Sequence, residues 1–317
     1  MLKYFKLLIF VVFSVLAALA APQGHGTLVR AATLHVSPGM TAEKLVNVER
    51  GRDLIILEQT NMDNQPWLKV YVTIPQEERA AREITGWLTA KGVVSASTPN
   101  GDQIIYGEAV DSESQAEQRG GRKGAAQDAM RLYYRLTEIF PNSQLAGEAM
   151  WRAADIRWQL EKIDVLSRPS AREMDPDVRN PMEEHWMKEL QKKYPHSKWS
   201  DLASYDLLDN KLCGDWKGLA KCPEKESDLY EHYAHEHPQS PKAPEALYNA
   251  AWRQAALVDI YRINNENDKS ANARKKAIAL AQEVAGQAAT QGDWKPRALA
   301  LIYKLEQNVP VYGNQQE

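Results

Sequence analysis

The chain has 317 residues, of which 39 are lysine or arginine, 42 are aspartate or glutamate and 44% are hydrophobic. Its formal net charge of −3 at pH 7 argues against nucleic-acid binding, which needs a basic field to neutralise phosphates. The length is sufficient for two domains, each with its own core.

Residues 1–20 predict a secretory signal peptide. Lys3 and Lys6 precede an apolar run at 7–19, and an Ala-Leu-Ala cleavage triplet ends at Ala20. We expect cleavage after Ala20, which leaves 37 basic against 42 acidic residues. The alternative is an uncleaved anchor, although the run is short for a membrane span. The prediction is a periplasmic or secreted protein with no stable membrane span after signal cleavage.

Residues 30–94 show the period of two that is typical of short strands. Five short strands cannot bury a face as a flat sheet, so the pattern favours a small barrel. The charged stretch 75–84 is interpreted as an insertion. The predicted strands are 32–36, 44–48, 53–59, 67–74 and 85–90.

The order of turn and tryptophan positions in this region resembles the bacterial SH3-like domain. The matching residues are Gly51, Asp53, Trp67, Val70, Gly86 and Trp87. The resemblance implies a wall-targeting or peptide-contacting accessory module. Peptide-binding relatives pair the tryptophan that matches Trp67 with Pro and Tyr, but those positions are Thr89 and Gly92 here, which argues against a polyproline groove. Trp67 and Trp87 are candidate binding residues; the alternative is that they fill the core and rim of the barrel.

Residues 95–124 predict a polar linker. The pieces 95–103 and 111–124 are polar and rich in Gly and Ser. The more apolar stretch between them, 104–110, would add one strand or dock on the barrel.

From residue 125 the period becomes helical, and one pattern occurs three times, at 140–151, 194–205 and 237–248. In each copy an apolar helical face leads to a proline, which ends the helix, and a serine two residues later suits the start of the next helix. Alanine and aromatic positions follow at fixed distances. Helical hairpins of this kind bury their faces by stacking, so the pattern predicts a solenoid over 125–310, with a fourth degenerate hairpin and a tail at 311–317.

These copies resemble the tetratricopeptide repeat superfamily, in the form with Tyr/Phe-Pro-x-Ser that bacterial envelope proteins carry. Examples are the outer-membrane assembly lipoproteins and the Tol-Pal coordinator. The resemblance implies a surface for an envelope protein or an extended peptide. The expected fold class is therefore a small SH3-like β-barrel followed by an α-helical tetratricopeptide-like solenoid.

Cys213 and Cys222 are the only cysteines, and in an exported chain we expect them to form a disulfide. With His232, His235 and His237 they could form a metal site, but the spacing fits no standard zinc signature. A Cys-His nucleophile is a further alternative, although both cysteines lie in a polar loop. We predict no catalytic residue, metal or cofactor.

On the repeats, Arg152, Trp158, Trp252 and Arg253 are candidate binding residues, with an ordinary solvated face as the alternative. The sequence as a whole predicts an exported, non-enzymatic adaptor for protein–protein interaction at the bacterial cell envelope. The alternative function is a peptidoglycan-binding accessory module whose repeats recruit a wall enzyme.

Overall fold

The computed structural model describes residues 24–76, 79–287 and 292–313. Contacts divide the chain into two compact units, Met1–Thr98 and Pro99–Glu317. The predicted signal peptide lies outside the described residues. The architecture is mixed, with a β unit followed by an α-helical unit.

The β unit contains one curled antiparallel sheet, a half-barrel with the strand order β3-β2-β6-β5-β4-β1-β7. All five predicted strands are present among its members. The described strands are β1 (Gly24–Leu28), β2 (Ala32–His35), β3 (Lys44–Val48), β4 (Asp53–Met62), β5 (Gln65–Gln76), β6 (Arg79–Thr89) and β7 (Val93–Ser95).

Strand β1 precedes the predicted boundary at residue 30, yet it pairs with both β4 and β7. Its sequence, GHGTL, has glycines where an alternating strand would show side chains, which hides the period. Gly26 is needed there, because a Cβ atom would lie 3.1 Å from the Val94 carbonyl oxygen.

The described residues of the stretch interpreted as an insertion, 75–76 and 79–84, belong to β5 and β6 and lengthen that strand pair. Thr73 pairs with Glu83 and Ile74 with Arg82. Beyond the core a strand needs no apolar alternation, since both of its faces can meet water. The core itself is formed by buried aliphatic side chains, among them Leu28, Leu34, Leu54, Val70 and Leu88.

The helical unit has nine described helices. They are α1 (Gly101–Glu117), α2 (Ala125–Ile139), α3 (Ala146–Ser167), α4 (His185–Lys193), α5 (Lys198–Asp206), α6 (Lys221–Glu236), α7 (Ala243–Ile263), α8 (Asn267–Gly286) and α9 (Trp294–Glu306). Most helices that follow one another in the chain pack together, and their buried residues include Leu132, Trp158, Leu190, Leu247 and Leu280.

The predicted linker over 95–124 is wrong for most of its length, because α1 occupies it and packs on α2. The buried positions of α1 are Gly101, Ile105, Ala109 and Ser112, which recur every three or four residues. Only Ile105 among these four is a large apolar residue, so the helical face carries little apolar signal in the sequence.

The three proline turns share one backbone conformation. The residue before each proline has φ and ψ of −126° and 60° at Phe140, −128° and 58° at Tyr194, and −123° and 57° at His237. In each case its N–H donates to the carbonyl four residues earlier. The serines differ: Ser197 caps α5 by accepting from the Ser200 N–H, whereas Ser143 and Ser240 accept from N–H groups within the turn.

Two long connections between helices bind each other. The Gly214 N–H donates to the Glu173 carbonyl at 3.1 Å, and the Asp215 N–H donates to the Arg172 carbonyl at 3.2 Å. The Met182 N–H donates to Asn210 Oδ1 at 2.9 Å. The connection at 168–184 is therefore held by the connection at 207–220.

The described part of the predicted tail is also held in place. The N–H groups of Val311 and Tyr312 both donate to Asp259 Oδ2 on α7, at 2.7 and 3.0 Å.

Candidate binding surface

A continuous band of partly buried charged and aromatic side chains crosses the helical unit from α1 to α7. Neighbouring members either contact each other directly or interact through their charges. We call it the central band. Its members are Glu113, Arg152, Asp155, Lys162, Tyr205, Asp206, Asp209, Lys242, Glu245 and Arg253.

At the α1 end, Arg152 is bound on several sides. One guanidinium nitrogen lies 2.9 Å from Glu113 Oε2 and donates to the Tyr133 hydroxyl at 3.1 Å, while another lies 2.9 Å from Glu148 Oε1. The Tyr106 hydroxyl donates to the same Glu148 oxygen at 2.7 Å. Burial, followed by that hydrogen bond, raises the pKa of Tyr106 to about 12. Arg152 therefore joins α1, α2 and α3.

The centre of the band contains three carboxyl groups and two lysines. Burial, followed by the charges of Asp155 and Asp209, raises the pKa of Asp206 to about 8 against the opposing effects of Lys242 and Lys162. Burial also raises the pKa of Asp155. Both carboxyl groups remain partly exposed to solvent. The three carboxyl groups and the two lysines thus form a partly exposed cluster of both charges at the centre of the band.

Between α5 and α7 the band is made of Tyr205 and its partners. The Tyr205 hydroxyl donates to Glu245 Oε1 at 3.0 Å and accepts from Asn249 at 3.1 Å. Lys242 binds Glu245 Oε2 at 2.8 Å and lies 5.2 Å from the centre of the Tyr205 ring. The contact connects the centre of the band to α7.

The far end is fixed by Glu226, whose side chain is only 2% exposed. Arg253 lies 3.0 Å from its Oε2 atom. Its Oε1 atom accepts from the Cys213 N–H at 2.9 Å and from the Trp216 indole at 3.1 Å. The ring centres of Trp216 and Trp252 are 5.6 Å apart. One buried carboxylate thus fixes the cysteine loop against α6 and α7.

The structure pairs Cys213 with Cys222 in a disulfide. The histidines do not converge on it: His237 binds Asp201 at 2.8 Å, while His232 and His235 lie near Glu236 and Glu283, respectively. Within the described ranges, no three His, Cys, Asp or Glu side chains are grouped so as to hold a metal ion.

The predicted binding residues are placed unequally. Trp158 is buried, and its indole donates to Asp209 at 3.1 Å. Trp67 is 1% exposed, and its ring meets the His35 ring edge to face at 5.7 Å. Trp87 is 9% exposed and has Lys69 at 5.8 Å from its ring centre. Trp252 is partly exposed, as are Arg152 and Arg253 at the two ends of the band.

Sequence reasoning missed the centre of the band. Asp155, Tyr205 and Asp206 lie on two helices that are far apart in the chain, and no local spacing connects them. The one sequence feature that they share is that each lies in a helix that follows a proline turn.

None of the described helices combines the length and the apolar character needed to cross a membrane. No protein-family model matches the chain, and no curated protein matches it in a sequence search.

Proposed function

We propose that this protein is an exported, non-enzymatic adaptor that binds another protein of the bacterial cell envelope through the central band. The observation that carries the proposal is the partly exposed cluster at the centre of the band, where Asp155, Asp206 and Asp209 lie with Lys162 and Lys242, and where burial raises the pKa values of Asp155 and Asp206. Partly desolvated polar groups of both signs fix the register of a bound segment and reject wrong partners.

The repeat geometry supports the same proposal. The shared conformation of Phe140, Tyr194 and His237 favours a reading of α2–α3, α4–α5 and α6–α7 as three equivalent hairpins. In this proposal the hairpins are tetratricopeptide-like, α8–α9 is the closing pair, and the β unit is an SH3-like module. Stacked hairpins provide extended surfaces for peptides and helices.

The disulfide supports the exported location. Bonds such as Cys213–Cys222 persist in oxidising compartments and are rare in the cytosol of mesophiles. A periplasmic or secreted location follows in the proposal.

The experiment that tests the proposal is in-cell photo-crosslinking from a single position beside the centre of the band. Gln159 is exposed on α3 and donates to Asp155 at 3.0 Å, so a photoreactive residue at 159 samples the band without removing a member. Lys275, exposed on α8 outside the band, is the matched control. We expect a discrete envelope protein to be captured from 159 and not from 275.

Equal recovery from the two positions would contradict the proposal. Recovery of wall fragments alone would favour the alternative of a peptidoglycan-binding module and would also count against the adaptor.

A further inference from the structure

The β unit contains a cavity of about 620 Å³ beside Trp67. Its wall is formed by the loops that follow β1, β2 and β6 together with the start of β5. This volume lies in the range of sites for small molecules and short peptides. Met40, 64% exposed, stands at the wall with its thioether available for contact.

The charges around this cavity have one sign. Arg30, Lys44 and Lys91 line it, and none of its described lining residues is acidic. No ion pair joins any of these three cations to another residue in the described part of the chain. All three side chains are exposed to solvent. Uncompensated cations around a concavity attract an anion.

A second, independent observation comes from Trp67. Its side chain is almost wholly buried at the cavity wall, yet its indole N–H has no hydrogen-bond partner within the described residues. A buried donor without a partner destabilises the fold, because it has lost its hydrogen bonds to water. His35, beside it, is already occupied, because its Nδ1 atom bonds the Ala42 carbonyl at 3.0 Å. A buried donor without a partner therefore lies directly behind the cavity wall, with less than 1 Å² of its nitrogen exposed.

The remaining wall distinguishes between kinds of anion. Val29, Ala31 and Ala32 give it an apolar side, and the cations come from separate segments. Phosphate is more often held by clustered backbone N–H groups or by bidentate arginines. An apolar wall beside cations suits an organic acid with a small apolar body.

We propose that this cavity binds the carboxylate of a short peptide, with Arg30, Lys44 and Lys91 attracting the charge and the unpartnered Trp67 indole N–H lying behind the wall. The carboxylate comes either from the end of a peptide chain or from an acidic side chain. The proposal does not depend on the role of the central band, which lies in the other unit.

The test is calorimetric titration of the purified full-length chain with four probes at low salt. They are acetyl-trialanine acid, acetyl-trialanine amide, acetyl-Ala-Glu-Ala amide and inorganic phosphate. We expect acetyl-trialanine acid, acetyl-Ala-Glu-Ala amide or both to bind, and the neutral acetyl-trialanine amide not to bind. Which of the two acids binds more tightly identifies the source of the carboxylate. Raising the salt concentration should weaken binding.

Variants connect binding to the cavity. Arg30→Gln and Lys91→Gln change exposed side chains, and each should weaken binding by about threefold to tenfold, the range for a lost bond to a charged group. Arg82→Gln, an exposed cation of β6 outside the cavity lining, is the control and should leave binding unchanged. With ¹⁵N-labelled tryptophan, the Trp67 indole resonance, assigned by its loss in Trp67→Phe, should shift on addition of the acid.

The proposal is overturned if the amide binds as well as the acids, if phosphate alone binds, if no probe binds, or if Arg82→Gln weakens binding as much as Lys91→Gln. Each of these results leaves the crosslinking test of the central band unaffected.

Discussion

Arg152 on α3 and Glu113 on α1 form an ion pair with an N–O distance of 2.9 Å, and both side chains are about three-quarters buried. The pair joins the helix that the sequence hides within a polar stretch to the first of the proline-turn hairpins. A cation that was predicted to bind a partner is thus first a structural residue of the helical unit.

The first prediction concerns this pair. Arg152→Ala leaves Glu113, Glu148 and the Tyr133 hydroxyl without their shared donor, so the free energy of unfolding should fall by about 2 kcal/mol. Urea denaturation measures the change. Arg168→Ala removes an exposed pair with Asp164 on the same helix and should cost less than about 0.5 kcal/mol. Equal losses in the two variants would show that the Arg152 contacts contribute nothing beyond a surface pair.

The second prediction concerns Arg253, because its partner Glu226 is buried. Arg253→Gln leaves a buried carboxylate without its cation and should lower the free energy of unfolding by about 3–5 kcal/mol at pH 7. Addition of Glu226→Gln in the same chain removes that charge and should restore part of the loss. A double variant less stable than Arg253→Gln would contradict this account of the site.

The third prediction is a pH dependence at Asp206. Its pKa is raised from its ordinary value to about 8, so between those two values the folded chain keeps a proton that the unfolded chain releases. Its contribution to stability is therefore present at low pH and declines as the pH rises to about 8. Asp206→Asn does not titrate, so its free energy of unfolding relative to the parent should rise by about 4 kcal/mol from pH 5 to pH 8.5, at about 1.4 kcal/mol for each of roughly three pH units below the folded pKa of about 8.

Thermal or urea denaturation at both pH values checks this prediction. Asp111→Asn, on an exposed position of α1, is the matched control and should show no such trend. A difference for Asp206→Asn that falls as the pH rises would refute the sign.

The fourth prediction concerns Gly86 in β6. A Cβ atom there would lie 2.7 Å from Leu34 Cγ and 2.8 Å from the His35 carbonyl oxygen, so β2 and β6 would have to move apart. Gly86→Ala should cost about 1–3 kcal/mol, as overpacking does in other cores. Gly107→Ala on α1 meets no atom within 4 Å and should stabilise by up to about 1 kcal/mol, since alanine favours a helix. The two denaturation curves should shift in opposite directions.

Some of this structure could be predicted because its causes are local. The prolines at 141, 195 and 238 each follow directly on the last residues of a helix. The two cysteines had only each other to pair with. The five apolar strands were visible in their alternation. Strand β1 and helix α1 were missed because glycines or small polar residues occupy their buried positions, so burial there leaves no hydrophobic pattern.

The candidate sites could be predicted only in part. Arg152 and Arg253 lie at the ends of the central band, but Trp158 and Trp67 are buried. The raised pKa of Asp206 depends on Asp155, which lies about fifty residues away, and the cavity cations lie on three segments that only the sheet brings together. Such properties arise from the tertiary structure, and no window of sequence contains them.

The bonds between the two long connections extend the influence of the disulfide to an earlier part of the chain. Residues 168–184 contain Arg172 and Arg179, which trypsin-like enzymes recognise. The Arg172 carbonyl accepts from the Asp215 N–H inside the loop that the Cys213–Cys222 bond closes, and Arg179 donates to the Leu212 carbonyl beside that loop. A chain that folds before its thiols are oxidised would present those sites to proteases, whereas an oxidised chain would shield them. Formation of this one disulfide would then set how long a newly made molecule survives proteolysis.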